Sequence, residues 1–147
     1  MTMLKLTLKE AKANFFDRTK VQRAVDVAER KVLSRFGAFV RQRARHSIRK
    51  RRKVSKPGKP PHSHVGLLRN GILFAYDSHR KSVVIGPVLL RLGSPVPALL
   101  EYGGYGRRSK NRSGKSAYWR ARPYMRPAMA KELRRMPGLF RNSLGRV

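Results

Sequence analysis

Charge is the feature that most restricts what this chain can fold into. Its 147 residues include 36 lysines and arginines but only seven acids, so the formal net charge is +29. Self-repulsion on this scale destabilises a compact state unless a counter-charge neutralises the cations. Hydrophobic residues make up 40% of the chain, which is enough for one modest core. We therefore expect a single domain over residues 1–147 that binds an anionic partner.

The cations are concentrated in two segments of the chain. Ten of them, and no acid, lie between Arg41 and Lys59, and five more lie between Arg107 and Lys115. Ordinary solvated surfaces mix both signs of charge, so a run of one sign favours an anionic partner over a merely solvated face. Clustered Lys and Arg neutralise phosphates without regard to base sequence. The candidate anion-binding or DNA-binding residues are Arg41, Arg43, Arg45, Arg49, Lys50, Arg51, Arg52, Lys53, Lys56, Lys59, Arg107, Arg108, Lys110, Arg112 and Lys115.

A long amphipathic helix is predicted in the first third of the chain. Apolar residues recur at steps of three and four from Val21 to Ile48, which is the spacing of one helix face. We expect the helix to run from about Lys20 to Arg49, with Asp17 or Thr19 as its cap. Gly37 interrupts the apolar pattern at a cost of about 1 kcal/mol relative to Ala, but it should not end the helix.

Period-two alternation and turn residues predict the strands. Leu4, Leu6 and Leu8 alternate with polar residues, which indicates an N-terminal strand. Residues 72–76 and 82–86 flank a polar turn and predict a β-hairpin, preceded by one helical turn at 66–71. A further strand is expected at 118–120. These elements predict an α+β fold, with a small antiparallel sheet of about three or four strands packed on the long helix and a C-terminal helix.

Two basic segments, at about 50–65 and 105–117, are expected to be extended, mobile loops. Prolines and Gly58 exclude a regular helix or central strand from the first, and Gly, Ser and Asn are frequent in the second. Between them, a short helix at 98–102 should end at Gly103 and Gly104. Pro127 suits the first turn of the C-terminal helix, which Pro137 and Gly138 should kink or end.

Catalytic and metal-binding chemistry finds little support in the residues. Most of the few carboxylates fall on predicted helix faces among cations, and His62 and His64 have no nearby acid or cysteine to complete a metal site. Apolar runs stay shorter than the roughly 18 residues of a membrane span, and the N-terminal alternation differs from a signal peptide. We expect a non-enzymatic protein of the cytoplasmic side, with no cofactor, metal, small-molecule substrate or membrane partner.

Three aromatic residues adjoin the second basic segment. Tyr105, Tyr118 and Trp119 could stack on exposed nucleic-acid bases, a contact that is tolerant of base sequence. Aromatic residues that flank a strand are nevertheless more often part of a core. We therefore favour the core interpretation for these side chains.

Five short segments, taken in chain order, resemble a known family. They are residues 57–61 (PGKPP), 66–72 (GLLRNGI), 83–87 (VVIGP), 100–104 (LEYGG) and 121–128 (ARPYMRPA). This order resembles the HK97 gp10-like family of tailed bacteriophages, which has a G-x-L-R turn, a hairpin, an E-[YF]-G segment and an A-R-P-[FY]-[ML]-x-P-A start of the last helix. The last motif is the most specific. The matching residues are Gly66, Leu68, Arg69, Glu101, Gly103, Arg122, Pro123, Tyr124 and Pro127.

The resemblance implies a structural virion protein that forms a ring at the head-to-tail junction, as a neck, connector, minor tail or tail-completion component. Such a ring would hold about six or twelve copies. Its implied partners are portal or adaptor proteins, tail-tube or tail-terminator proteins, and packaged double-stranded DNA. The implied location is the virion, and the host cytoplasm during assembly. Charge alone supports an alternative, which is a stand-alone nucleic-acid-binding protein without sequence preference.

Two structural expectations accompany the last motif. Glu101 is one of few acids, and Arg122 is its expected partner, either within the fold or across a subunit boundary. The segment around Pro123 should form a corner between extended chain and helix, in which Tyr124 and Met125 anchor into the core.

Overall fold

Residues 18–88, 95–107 and 116–144 are described by the structure, a computed structural model. Within these ranges the fold is α+β, as predicted. The helices are α1 (Arg18–Ser47), α2 (Leu67–Asn70), α3 (Val96–Tyr102), α4 (Met125–Leu133) and α5 (Met136–Leu144). The strands are β1 (Arg49–Lys50), β2 (His62–Ser63), β3 (Ile72–Asp77), β4 (Ser82–Pro87), β5 (Gly104–Arg107) and β6 (Ser116–Trp119). The strand predicted at Leu4, Leu6 and Leu8 lies outside the described residues.

The described strands form three separate pairs, not the single sheet of three or four strands that the sequence analysis predicted. β3 and β4 form the predicted antiparallel hairpin, in which Phe74 lies opposite Ile85. β5 and β6 form a second antiparallel pair, and β1 and β2 a short parallel one. The two hairpins do not join because each packs on a different helix, β3–β4 on α1 and β5 on α3.

Helix α1 is the central element of the core and confirms the predicted amphipathic helix. Its buried face repeats at steps of four residues, which places these side chains in one row. Residues from α2, β3 and the start of α4 pack against that row. The core cluster consists of Phe36, Val40, Ala44, Ile48, Leu68, Ile72, Tyr124 and Ala128.

The N-terminal end of α1 differs from the prediction in two respects. The helix already includes Arg18, so Thr19 lies inside the first turn and is not the cap, and Asp17 lies outside the described residues. Val21 and Val25, which continue the apolar stripe, are 48% and 46% exposed. The described core therefore covers α1 only from about Ala28 onwards.

The proline-rich segment at 50–65 was expected to be an extended, mobile loop, but it makes hydrogen bonds with other parts of the fold. β2 pairs with β1 directly after α1. The Gly58 N–H donates to the Ala121 carbonyl oxygen at 2.9 Å, and Arg122 Nε donates to the Ser55 carbonyl oxygen at 3.1 Å. The prolines between β1 and β2 exclude a continuous ladder there, but the remaining backbone groups still bond with neighbouring chain.

The other predicted elements lie close to their expected positions. Strands β5 and β6 use both ends of the loop predicted at 105–117, and residues 108–115 lie outside the described residues. Pro127 lies in the first turn of α4, as predicted. The C-terminal helix is interrupted between Leu133 and Met136, and Pro137 lies in the first turn of α5.

Gly37 marks the closest approach between α1 and the β3–β4 hairpin. A Cβ at this position would lie 2.7 Å from Val83 Cγ2 and 2.8 Å from Phe74 Cδ2. These distances are shorter than carbon–carbon contact, so the absence of a side chain lets the hairpin pack directly on the helix.

Gly37→Ala should therefore destabilise the fold by about 1–3 kcal/mol, because overpacking outweighs the helix propensity that Ala gains. Gly138→Ala is the matched control, since it also lies in a helix but has no atom within 4 Å of its added Cβ. The control should be neutral or slightly stabilising. The measurement is the free energy of unfolding in urea, and equal effects of the two substitutions would contradict the packing argument.

Candidate functional site

The cations of the first basic segment divide into an exposed group and a group held on α1. The exposed group follows the helix and has no ion pair with any described residue. Its members are Arg49, Lys50, Arg51, Arg52, Lys53, Lys56 and Lys59. Arg41, Arg43 and Arg45 are half-buried on the last turns of α1.

Arg43 serves the fold, because its charge is already compensated. Its Nε donates to Oε1 of Glu132, a residue on α4 that is only 2% exposed. Arg135 Nη1 lies 3.5 Å from the other carboxylate oxygen. A buried carboxylate needs such partners to offset its lost hydration. Arg43 therefore joins α1 to α4, although the sequence analysis placed it among the anion-binding residues.

Arg41 and Arg45 line a cavity of about 400 Å³ together with Arg69 of α2. Arg41 Nε donates to the Ile72 carbonyl oxygen at 3.0 Å, and Arg45 Nη2 donates to Asn70 Oδ1 at 3.4 Å. These bonds fix the directions of both guanidinium groups. The remaining lining residues are Ala38, Gln42 and His46.

Part of this cavity was not predicted from the sequence. Arg41 and Arg45 were predicted to bind an anion, whereas Arg69 was assigned only to a family motif, and Gln42 and His46 were not among the candidates. A signal was present, because Gln42 and His46 are four residues apart on the helix, as are Arg41 and Arg45. No pattern in the sequence indicated that α2 would bring Arg69 to this face of α1.

The second basic segment is described only at its two ends. Arg107 lies at the end of β5, opposite Ser116. Arg108, Lys110, Arg112 and Lys115 lie outside the described residues. Of the five cations of this segment, the structure thus describes only Arg107, which lies in a paired strand.

Of the three aromatic residues beside this segment, two are exposed and one is half-buried. Tyr105 and Tyr118 are exposed cross-strand partners whose ring centroids lie 5.3 Å apart in an edge-to-face pair. The core interpretation was wrong for both, because their register puts them on the open face of a two-stranded sheet. Trp119 is half-buried, and its indole N–H donates to the Gly106 carbonyl oxygen at 3.4 Å.

Glu101 is a buried acid that caps the N-terminus of α4 from a distant part of the chain. Its Oε2 accepts hydrogen bonds from the Tyr124 and Met125 N–H groups at 2.9 and 3.0 Å. Its Oε1 accepts one from the Arg126 N–H at 2.8 Å. A helix leaves its first four N–H groups without partners inside the helix, and the fourth position here is Pro127, which has no N–H. One carboxylate thus satisfies every amide that this helix start leaves open.

Within the chain, the predicted pairing of Glu101 with Arg122 is therefore wrong. Arg122 instead donates from Nε to the Ser55 carbonyl oxygen and from Nη1 to the Arg120 carbonyl oxygen. The reason lies at Tyr124, the N-cap position of α4, whose side chain makes no capping hydrogen bond. The helix amides consequently need an outside acceptor, and the negative charge of Glu101 also suits the positive end of the helix dipole.

The other residues of the family-like segments occupy structural positions. Gly103 ends α3 with φ +77°, and a Cβ there would lie 2.9 Å from the Trp119 carbonyl oxygen, so only glycine fits. Tyr124 is 1% exposed and confirms the expected anchor in the core. Gly66 precedes α2 in a left-handed conformation, Leu68 is buried, and Pro123 is half-buried before the helix start.

Comparisons with protein-family models, with curated proteins and with solved structures returned no match. Among the described residues, no group of three or more His, Asp or Glu side chains is placed to hold a metal ion. The same parts of the chain contain no helix that is both long and apolar enough to cross a membrane. The main features of the described residues are the contact between Glu101 and the start of α4, the arginine-lined cavity on α1, and the exposed cations between Arg49 and Lys59.

Glu101→Ala should lower the free energy of unfolding by about 2–4 kcal/mol, because it leaves three N–H groups at a buried helix start without acceptors. Glu101→Gln should fall between wild type and Glu101→Ala, since it keeps an acceptor oxygen but loses the charge. Asp26→Ala is the control, because Asp26 is an acid in an exposed ion pair with Lys81 and should have little effect. Chemical denaturation measures all three, and similar losses for Glu101→Ala and Asp26→Ala would refute the capping role.

The fold should lose stability in alkali through Tyr124. Burial, together with the nearby charge of Glu101, raises the pKa of Tyr124 to about 12, against an ordinary value of 10.0. The folded state then holds the phenol proton more tightly, so the stabilisation is complete below about pH 10 and is lost as the pH rises towards 12.

Because other groups titrate in the same range, the measurement is the difference in unfolding free energy between wild type and Tyr124→Phe. This difference should shift against wild type by about 2–3 kcal/mol between pH 9 and pH 12. A difference that is independent of pH would show that Tyr124 ionises equally in the folded and unfolded states.

Proposed function

We propose that this chain is a structural, non-enzymatic virion protein of a tailed phage that forms an oligomeric ring at the head-to-tail junction. The observation that carries the proposal is the contact between two family-like segments, residues 100–104 and 121–128. They are distant in sequence, yet the Glu101 carboxylate of the first holds the helix start of the second. These two segments therefore act as one structural unit.

Exposed apolar side chains support a role in an assembly. Leu73 and Val84 are exposed on the β3–β4 hairpin, and Met129 and Leu133 are exposed on α4. A groove of about 460 Å³ lies between β4 and α4 and is lined by Val40, Val83, Ile85, Met125, Arg126, Met129, Ala130 and Leu133. An exposed groove whose lining is apolar apart from Arg126 is typical of contact sites between proteins.

The uncompensated charge supports an anionic neighbour for such a ring. Ion pairs between described residues use Arg43, Lys81 and Arg135, and none uses the exposed cations between Arg49 and Lys59. Copies of this chain would repel one another in a closed ring unless these cations lie more than about 8 Å apart or face an anion. Packaged DNA or acidic portal, adaptor or tail proteins would supply that counter-charge.

The alternative is a stand-alone nucleic-acid-binding protein. The observation that favours it is the exposed Tyr105–Tyr118 pair beside the second basic segment, because exposed aromatic rings stack on bases of any sequence. Charge supports both proposals equally. Assembly therefore distinguishes them.

The purified chain should form rings with increasing concentration, seen by sedimentation velocity and negative-stain imaging, and it should be present in purified virions. Binding to free duplex DNA should be weak and vanish at modest salt. Nanomolar duplex binding by a monomer, with a steep dependence on salt, would establish the alternative. Virions that lack the protein but still join tails to filled heads would exclude the junction role.

A further inference from the structure

The cavity between α1 and α2 presents three guanidinium groups and no carboxylate. Arg41 and Arg45 come from consecutive turns of α1, and Arg69 comes from α2. We call the cavity the arginine pocket and define it by these three residues with Ala38, Gln42 and His46. The three guanidinium groups only donate hydrogen bonds. The only side-chain acceptors in the lining are the amide oxygen of Gln42 and one imidazole nitrogen of His46. The pocket is therefore suited to an oxyanion.

Two of the three arginines of this pocket, Arg41 and Arg45, already donate hydrogen bonds to neighbouring groups of the fold. Arg41 uses its Nε on the Ile72 carbonyl oxygen, which leaves both of its Nη groups for other acceptors. Arg45 uses Nη2 on Asn70, which leaves Nε and Nη1. All three arginines are half-buried, so their side chains lose less freedom on binding than those of the exposed loop cations.

The charge of the arginine pocket is uncompensated, which also favours an anionic ligand. No ion pair between described residues involves Arg41, Arg45 or Arg69. Three like charges around one half-buried cavity repel each other more strongly than they would in bulk water. A bound multivalent oxyanion removes this repulsion and accepts several charge-assisted hydrogen bonds at once.

We propose that the arginine pocket is a phosphate-binding site that takes a phosphate of a nucleic-acid backbone. A guanidinium group offers paired N–H donors in a plane, and phosphate presents several oxygens to such groups from different directions. A cavity of about 400 Å³ also has room for the sugar beside a phosphodiester. The inference rests on the anion contact of the proposed function, but it does not require that rings form.

The pocket gives the nucleic-acid contact a fixed point on the folded body. Most of the cations predicted to bind an anion lie in the two basic segments, where exposed cations give non-specific attraction. A phosphate held by α1 and α2 sets the position and direction of the backbone relative to the fold, because phosphate contacts determine register.

The test compares two variants with the same loss of charge. The pocket variant is Arg41→Gln, Arg45→Gln and Arg69→Gln, and the loop variant is Arg49→Gln, Arg51→Gln and Arg52→Gln. The single substitution Arg69→Gln accompanies them, because no described residue accepts a hydrogen bond from the Arg69 side chain and the fold should tolerate its loss. Thermal unfolding checks that each variant is folded.

The first probe is inorganic phosphate at about physiological ionic strength, followed by NMR through the backbone amide signals of the residues that line the pocket, which every variant retains. These signals should shift and saturate in wild type and in the loop variant. We expect at least about tenfold weaker binding in the pocket variant, and a clear weakening in Arg69→Gln, because charge-assisted hydrogen bonds are lost. Equal binding by the pocket and loop variants would overturn the proposal.

The second probe identifies the source of the phosphate. At low ionic strength, where the weak duplex binding expected above is retained, a short DNA duplex should compete with inorganic phosphate for the pocket and should bind the loop variant more tightly than the pocket variant. Competition by phosphate without any difference between the two variants for duplex would limit the site to free phosphate and overturn the nucleic-acid assignment. A polyglutamate peptide that competes as well as the duplex would assign the pocket to acidic protein instead. Monomers that pass these tests would keep the pocket while the ring proposal fails.

Discussion

The contact between Glu101 and the start of α4 is the interaction on which the rest of the structure depends. It connects α3 to the helix that completes the core, because Tyr124 at that helix start is among the most deeply buried side chains. Without an acceptor, the open amides of α4 would lose their hydration with nothing in return. The Glu101 carboxylate accepts hydrogen bonds from three of these amides, and Pro127 has no N–H at the fourth position.

The scarcity of acids makes their placement informative. Glu101 caps α4, Glu132 joins α4 to Arg43 on α1, and Asp77 accepts the His79 and Arg80 amides in the turn of the β3–β4 hairpin. These carboxylates serve the fold, so they are not spread over the surface to balance its cations. The excess positive charge therefore remains at the surface, where an outside anion can neutralise it.

Elements that depend on local pattern were predictable. The stripe that ends at Ile48 predicts α1 because a helix repeats every 3.6 residues, and the polar turn around Asp77 predicts the β3–β4 hairpin because its strands are adjacent in sequence. Pairings between distant segments were not. Gly58 of the proline-rich segment bonds to Ala121, and Glu101 accepts from backbone amides and not from Arg122. Both contacts depend on which polar groups the folded chain leaves without partners, and local pattern does not show this.

In the candidate site, too, some features follow from the sequence and others from the tertiary structure. The sequence by itself determined that the chain is strongly basic, that its cations cluster, and that Arg41 and Arg45 share a helix face, because composition and helical spacing are properties of the chain. Only the tertiary structure decided that Arg43 forms an ion pair with Glu132, and that Arg69 lines one cavity with Arg41 and Arg45. Whether a cation stays available depends on burial and on the groups around it, and these are set by contacts between residues far apart in sequence.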